Sequence, residues 1–203
     1  MNILAICSAL NNSYLAIKAG NEVLSKIIKS DEKNYHSLYL IQEIKNLCNK
    51  INFSLNELDF ITTNLGPGSF TGIRVSLTVA KVMAQELNLP LVGLNSSVIL
   101  LTAYDCDYLV MDARRDMYYI GTKEKIELVY KDKIPALEGK ILTDKRSSDI
   151  IKNSICFEDN DKNIGEVMIK LANSKFENSK NKDEFNYLNV NANYIQTPPV
   201  FTS

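Results

Sequence analysis

A single histidine is the most restrictive feature of this 203-residue chain. His36 alone cannot supply an HExxH or HxxxH pair, so a two-histidine metal centre is excluded. A serine or cysteine triad would have to use the same residue as its base, and nothing else in the sequence points to one. Cysteine is no more helpful for cross-linking. Cys7, Cys48, Cys106 and Cys156 are widely spaced with no CxxC pair, which is neither a disulfide framework nor a zinc knuckle. Each has apolar neighbours and reads as a small buried hydrophobe. An excess of charge of one sign is also missing. With 23 Lys+Arg against 24 Asp+Glu, the net charge of −1 gives no general attraction to nucleic acid and rules out a broad phosphate-gripping surface. No apolar run approaches a membrane span, and no basic region with a signal core opens the chain, so a cytoplasmic protein without membrane contact is expected.

What is present centres on Leu65-Gly66-Pro67-Gly68-Ser69-Phe70-Thr71-Gly72-Ile73-Arg74. Three glycines and a proline within seven residues cannot be the interior of a helix or strand. An apolar run, Phe60 to Leu65, precedes the loop and reads as a strand. Gly72 to Leu87 follows without further glycine or proline and reads as a helix. Strand, glycine loop and helix form a geometry whose free N–H groups can hold an anion. It is not a Walker loop, because no Gly-Lys-Ser/Thr follows, and the glycine spacing is not that of the dinucleotide fingerprint.

On this helix Arg74, Thr78, Lys81 and Gln85 share a narrow polar stripe, and most of the remaining circumference is apolar or small. Gly72, Ser76, Ala80 and Ala84 form a low ridge, and Val75, Val79 and Val82 a second face. One face can cover the chain's own sheet. The other needs a further cover, either a neighbouring helix of the same chain or a helix of a partner. Tyr35 to Ile51, with Leu38, Ile41, Ile44, Leu47, Cys48 and Ile51 in helical register and Tyr39 and Leu40 widening the face, has the same surplus.

Before it lie three short strands, Asn2–Ser8, Ser13–Ala19 and Glu22–Ile28, the last two joined by a Gly20-Asn21 turn. Ser54 to Glu57 has the capping-box pattern. Leu91–Leu94 is a brief strand, and Asn95-Ser96 opens a helix to about Ala103. Three strands, helix, strand, helix, strand, helix is the order of a ribonuclease-H-like domain. After Asp105-Cys106-Asp107 the order restarts. Strands are expected at Tyr108–Met111, Met117–Thr122, Ile126–Tyr130, Lys140–Thr143 and Ser154–Phe157, with a helix at Asn163–Ala172. Asn173 to Asn186 reads as a solvated loop, Tyr187 to Ile195 as extended, and Thr197-Pro198-Pro199 as a tail. The expected domains are a first lobe at 1–104, a smaller lobe at 105–195 and a tail at 196–203. The fold class is α/β, of the actin-like and Hsp70-like type with two ribonuclease-H-like lobes, the second shortened.

Gly66-Pro67-Gly68-Ser69-Phe70-Thr71-Gly72-Ile73-Arg74 resembles the hallmark of the bacterial TsaB (YeaZ) family. Ile3-Leu4-Ala5-Ile6, His36-Ser37 and Asp112-Ala113-Arg114 agree at matching spacing. The resemblance implies an accessory, non-catalytic subunit in making threonylcarbamoyladenosine on transfer RNA. It implies pairing with the catalytic subunit TsaD, the ATPase TsaE joining them, a homodimer when alone, and only indirect involvement with transfer RNA. It also implies no cofactor of its own, while leaving room for a nucleotide at the TsaD interface. The partner-facing residues become His36, Tyr39, Leu40, Val75, Val79 and Val82. The catalytic subunit itself is rejected, because TsaD-type proteins carry an HxxxH pair. ATPases of this fold hold their metal with an aspartate after the first strand. Here Cys7-Ser8 stands at that point, and a thiol is a poor Mg²⁺ ligand.

Three readings of Gly66 to Gly72 stay open: a turn-and-cap capped by Ser69 or Thr71, part of the TsaD interface, or a nucleotide loop. The last belongs to the rival function, a small ATPase or kinase with phosphate cradled at Gly66–Gly72. Arg74 is expected to be a surface charge, and Asp112 and Arg114 to form a local ion pair or a contact between lobes.

Overall fold

The computed structural model describes residues 1–29, 36–159 and 162–195. Two five-stranded sheets organise them. The first holds β1 (Ile3–Cys7), β2 (Ser13–Ala19), β3 (Glu22–Ile28), β4 (Phe60–Asn64) and β5 (Leu91–Leu94) in the order β3-β2-β1-β4-β5. The second holds β6 (Tyr108–Arg114), β7 (Met117–Gly121), β8 (Ile126–Tyr130), β9 (Ile141–Thr143) and β10 (Ile155–Cys156) in the order β10-β9-β6-β7-β8. Each sheet therefore has its first strand at the centre, two antiparallel neighbours on one side and two parallel ones on the other. The internal repeat expected from element order is a repeat of topology.

Helices explain why the strands of the first sheet read as unbroken apolar runs. β1 and β4 are buried along their whole length, which requires cover on both faces. One face takes α1 (His36–Lys50) and α2 (Phe70–Glu86). The other takes α5 (Ile164–Asn178), which comes from the second half of the chain and packs across β1, β2 and β5. In return α3 (Ser96–Tyr104), from the first half, packs on β6 and β9 of the second sheet. Ile99, Leu100 and Leu101 are buried at three successive positions round it, so this helix shows little more than Thr102 to solvent. Small residues permit the closest approaches. A Cβ on Gly165 of α5 would lie 2.8 Å from the Cβ of Ala16 on β2.

The second lobe is short because its helices are. The connection from β8 to β9 holds no α-helix, and α4 (Lys145–Ser148), between β9 and β10, is a single turn capped by Asp144. Only α5 is long, with 15 residues against 9 in its counterpart α3.

The stretch 173–186 corrects the expectation of a solvated loop. Helix α5 runs to Asn178, and Phe176 stacks on Phe60 of β4 at 4.8 Å and meets Phe185 at a tilt, 5.1 Å between ring centroids. Phe185, on a short helical turn at Lys182–Phe185, is almost wholly buried. Polar spacing around these two rings hid the pattern, since Lys182 lies over both of them and supplies the solvated face. Beyond it the chain at 187–195 is irregular rather than extended in a sheet. Val190 is buried against the α2 side of the first sheet, and Asn193 N–H donates to the Leu65 carbonyl at 2.8 Å. The expected tail at 196–203 lies outside the described residues.

Phe176→Ala is expected to cost about 2–4 kcal/mol, because it opens a space between two packed rings. Lys182→Met should cost under about 1 kcal/mol. Urea unfolding checks both; near-neutrality of the Phe176 variant would mean that residues 173–186 are not part of the core.

Candidate functional site

The loop between β4 and α2 is shaped by backbone pressed on backbone. A Cβ on Gly72 would lie 1.8 Å from the Ser8 carbonyl oxygen, and one on Gly68 would lie 2.2 Å from that of Ala9. The loop thus lies directly on the turn leaving β1, and Ser69 N–H donates to the Ala9 carbonyl at 2.7 Å. Gly66 has φ +100°, a backbone conformation open only to glycine at low cost. Its N–H donates to Asn64 Oδ1 at 2.6 Å, while its carbonyl accepts from Ser96 N–H at 2.9 Å. Ser96 Oγ donates to the Pro67 carbonyl and lies 3.1 Å from Asn64 Oδ1. The Gly66–Pro67 peptide is cis. Ser69, not Thr71, caps α2, its Oγ accepting from Gly72 N–H at 3.2 Å.

Cys7 lies beneath this loop, fully buried. Burial pushes its thiol up from 9.0 to about 11, with the Ala9 N–H, the Asn64 amide and the Leu10 N–H partly offsetting that. The side-chain Nδ2 of Asn64 is buried and faces this neutral sulfur, a weak acceptor. Ser8 and Ser13, hydrogen-bonded to each other at 3.1 Å, complete a small polar pocket of packed side chains. The turn leaving β1, where an ATPase of this fold would place its metal-holding carboxylate, thus presents a buried thiol and two serines packed under the glycine loop. Among the described residues no group of three His, Cys, Asp or Glu side chains could hold a metal ion.

Beside the loop, α1 and α2 pack together over the sheet. The small ridge Gly72, Ser76, Ala80 and Ala84 is the face that meets the sheet. Val75 and Val79 are half-buried against the same cluster as Ile44 and Leu47 of α1, so α1 is their first cover. Val82 is 53% exposed and Tyr39 is 40% exposed. Leu40 corrects the sequence reading: it is completely buried in the core beneath α1 and offers no free surface. Its neighbour Ile41, one of the periodic apolar positions, is 64% exposed instead. The side chain of His36 lies outside the described residues, although its backbone opens α1.

At the start of α2 the sequence reading missed an aromatic cluster. Arg74 stacks over the Phe70 ring at 3.9 Å and its Nε donates to the Tyr194 hydroxyl at 3.3 Å, while the Phe70 and Tyr194 rings sit 5.2 Å apart. Only the i, i+4 spacing of Phe70 and Arg74 signalled this; the contribution of Tyr194 is long-range. The anticipated Asp112–Arg114 ion pair is replaced by Asp112–Arg146 at 3.0 Å, with Arg114 bonding Asp112 through its backbone N–H. No helix among the described residues is long and apolar enough to cross a membrane.

Two sheets of identical strand order that exchange their last helices define an α/β protein of the actin-like class, built from two ribonuclease-H-like lobes with the second shortened. Structures of YeaZ from Pseudomonas aeruginosa and of a YeaZ-like protein from that organism share the fold. Their TM-scores are 0.72 and 0.77 at 16% and 15% identity, covering 87% and 96% of this chain and 93% and 99% of theirs. Residues 22–151 match the family model described as TsaD, tRNA N6-adenosine threonylcarbamoyltransferase. The tRNA threonylcarbamoyladenosine biosynthesis protein TsaB of Buchnera aphidicola subsp. Baizongia pistaciae is 43% identical over 36% of this chain and 34% of its own length. TsaB of Bacillus subtilis is 30% identical over 60% of this chain and 54% of its own. The match thus spans about a third to a half of these relatives. The chain belongs to the TsaD-related family, in its TsaB (YeaZ) branch.

Gly72→Ala is expected to cost at least about 3 kcal/mol or to prevent folding, because the atom it meets is a backbone carbonyl that cannot move aside. Gly20→Ala, with open space around it, should cost only about 1 kcal/mol for its positive φ. A thermal melt compares the two. For Cys7, folding favours the neutral thiol, so its contribution is complete below about pH 9 and is lost as the pH rises to about 11. The wild type should lose roughly 2–3 kcal/mol more than Cys7→Ala across that window in denaturant titrations.

Proposed function

We propose that this chain is a non-catalytic scaffold subunit of the machinery that makes threonylcarbamoyladenosine on transfer RNA, and that it binds and stabilises the catalytic subunit TsaD. The names of its TsaB relatives support the pathway. One structural observation carries the scaffold role: the loop that would cradle phosphate in an ATPase is shut against the carbonyls of Ser8 and Ala9, over a buried, neutral Cys7. A protein of this fold without the metal-holding group acts through its surface. The rival reading, a small ATPase or kinase with phosphate at Gly66–Gly72, would need a metal-holding carboxylate after β1, where this chain has Cys7-Ser8.

The surface in question is the outer side of α1 and α2. Tyr39, Ile41, Phe70 and Val82 leave apolar area in water there, next to the exposed Thr78 and the half-buried Val75 and Val79. A pair of helices from TsaD would cover it, and the aromatic residues with Arg74 suit the centre of such an interface. In the absence of TsaD the same face pairs with a second copy. TsaE joins the assembled pair, and a nucleotide is held at the junction rather than by this chain alone. In this reading residues 1–104 form the partner-binding lobe and 105–195 the smaller one.

Ile41→Glu and Val82→Glu test it, since both positions are exposed and the fold should tolerate them. Each should weaken co-purification with TsaD at least about 30-fold, the loss expected at an interface hot spot, and shift the isolated chain to monomer in sedimentation. Full retention of both associations, with far-UV circular dichroism unchanged, would refute the assignment of this face.

A further inference from the structure

The Asp112-Ala113-Arg114 segment takes no part in the α1–α2 face, yet it is the most constrained turn in the second lobe. Arg114, Arg115 and Asp116 follow one another with φ of +65°, +54° and +55°, a region that non-glycine residues seldom occupy even singly. A bulge in the β6–β7 pairing between Asp112 and Arg114 starts the turn. Asp112 locks it: its Oδ1 accepts from Arg114 N–H at 2.8 Å, its Oδ2 from Arg146 Nη1 at 3.0 Å, and its own N–H donates to Asp144 Oδ2 at 2.9 Å. The result is two adjacent guanidinium groups in solvent, neither of them in an ion pair or side-chain hydrogen bond with a described residue.

Next to the turn, Lys131 N–H donates to the Asp116 carbonyl at 2.8 Å, which draws the end of β8 against it. There Asp116, Tyr130, Lys131 and Asp132 line an open depression of about 630 Å³, with Tyr130 58% exposed. The depression holds an ammonium, an exposed aromatic side chain and two carboxylates able to accept hydrogen bonds, and the two free guanidinium groups belong to the residues that directly precede Asp116 in the turn. Guanidinium groups take phosphate oxygens, an exposed ring stacks a base, and carboxylates accept from a 2′-hydroxyl or an exocyclic amine.

We propose that this β6–β7 turn grips an unpaired stretch of RNA, its phosphates on Arg114 and Arg115 and a base on Tyr130. The small footprint agrees with a net charge of −1, which cannot support a duplex-sized contact. An acidic peptide would use the arginines but leave the tyrosine idle. The proposal rests on the preceding reading only in taking transfer RNA as the strand, and it goes beyond the indirect role expected from the sequence.

The test uses the assembly of the full chain with TsaD and a fluorescent transfer RNA, its binding titrated from 50 to 200 mM salt. Asparagine adopts positive φ readily, so Arg114→Asn with Arg115→Asn keeps the turn. Two lost single-strand phosphate contacts should reduce the log–log salt slope by about 1.4, making the affinity about sevenfold less salt-sensitive over that range. Tyr130→Ala should weaken binding by about 5- to 150-fold and leave the slope unchanged. An unaltered slope in the double variant, with TsaD co-purification intact, overturns the proposal. So does equal competition by polyglutamate, which would assign the turn to acidic peptide. Failure of the wild-type chain to co-purify with TsaD is the separate result that would refute the scaffold reading, and the same titration on the isolated chain then decides the RNA contact alone.

Discussion

The close approach of two backbone segments, the turn after β1 and the loop before α2, sets most of what this protein is. Hydrogen bonds and packing of that kind demand an absent side chain, because a carbonyl oxygen cannot swing aside as a methyl group can. Gly68 and Gly72 meet the demand at Ala9 and Ser8. With the two segments in contact, α2 starts flush against the sheet and its Ser76, Ala80 and Ala84 can follow the same line. A single larger residue on this ridge would lift the helix and expose both the core below and Cys7. The closure also explains the chemistry of the thiol: with no water, its charged form has only a few weak donors for company.

The same economy governs the rest of the first sheet. Strands buried on both faces need two layers of helix, and the chain obtains the second layer by exchanging helices between its halves. α5 returns to cover β1 and β2, while α3 crosses to the other sheet. Each half would leave an apolar sheet face open without the other, so the two are expected to unfold together despite having separate sheets. The second half retains the helix that is exchanged and loses the two that would lie on its outer face, which shows which contacts the fold requires.

Much of this was legible in the sequence. Strand boundaries followed apolar runs bounded by Asn-Asn, Gly-Asn and Pro, and β2, β3, β5 and β8 fall where the pattern put them. The loop was legible because glycine density has few explanations. The misreadings are of one kind: a residue whose role is set by something far away in the chain. Phe176 and Phe185 looked isolated among Asn, Lys and Ser, but they close on Phe60, more than a hundred residues earlier. Leu40 and Ile41 are adjacent and equally apolar, and only the position of the sheet decides that the first goes in and the second out. Helical periodicity locates an apolar stripe to within about a third of a turn, too coarse to separate them.

The position of the charges completes the physical picture. Asp112 could have balanced Arg114 directly, as the sequence suggested, but its carboxylate is engaged by a backbone N–H and by Arg146 from α4. A carboxylate held in this way fixes the shape of a turn and leaves the neighbouring cations uncompensated. In the first lobe the equivalent turn, Ser8 to Asn12, is packed under the glycine loop and uncharged. The duplicated topology therefore carries two copies of one turn put to opposite uses: one filled by its own chain, the other held open with its charge facing water. Family membership does not require that asymmetry. It follows from the shortening of the second lobe's helices, since α2's counterpart there, α4, is a single turn that meets Asp112 through Asp144 and Arg146 and leaves Arg114 and Arg115 in solvent.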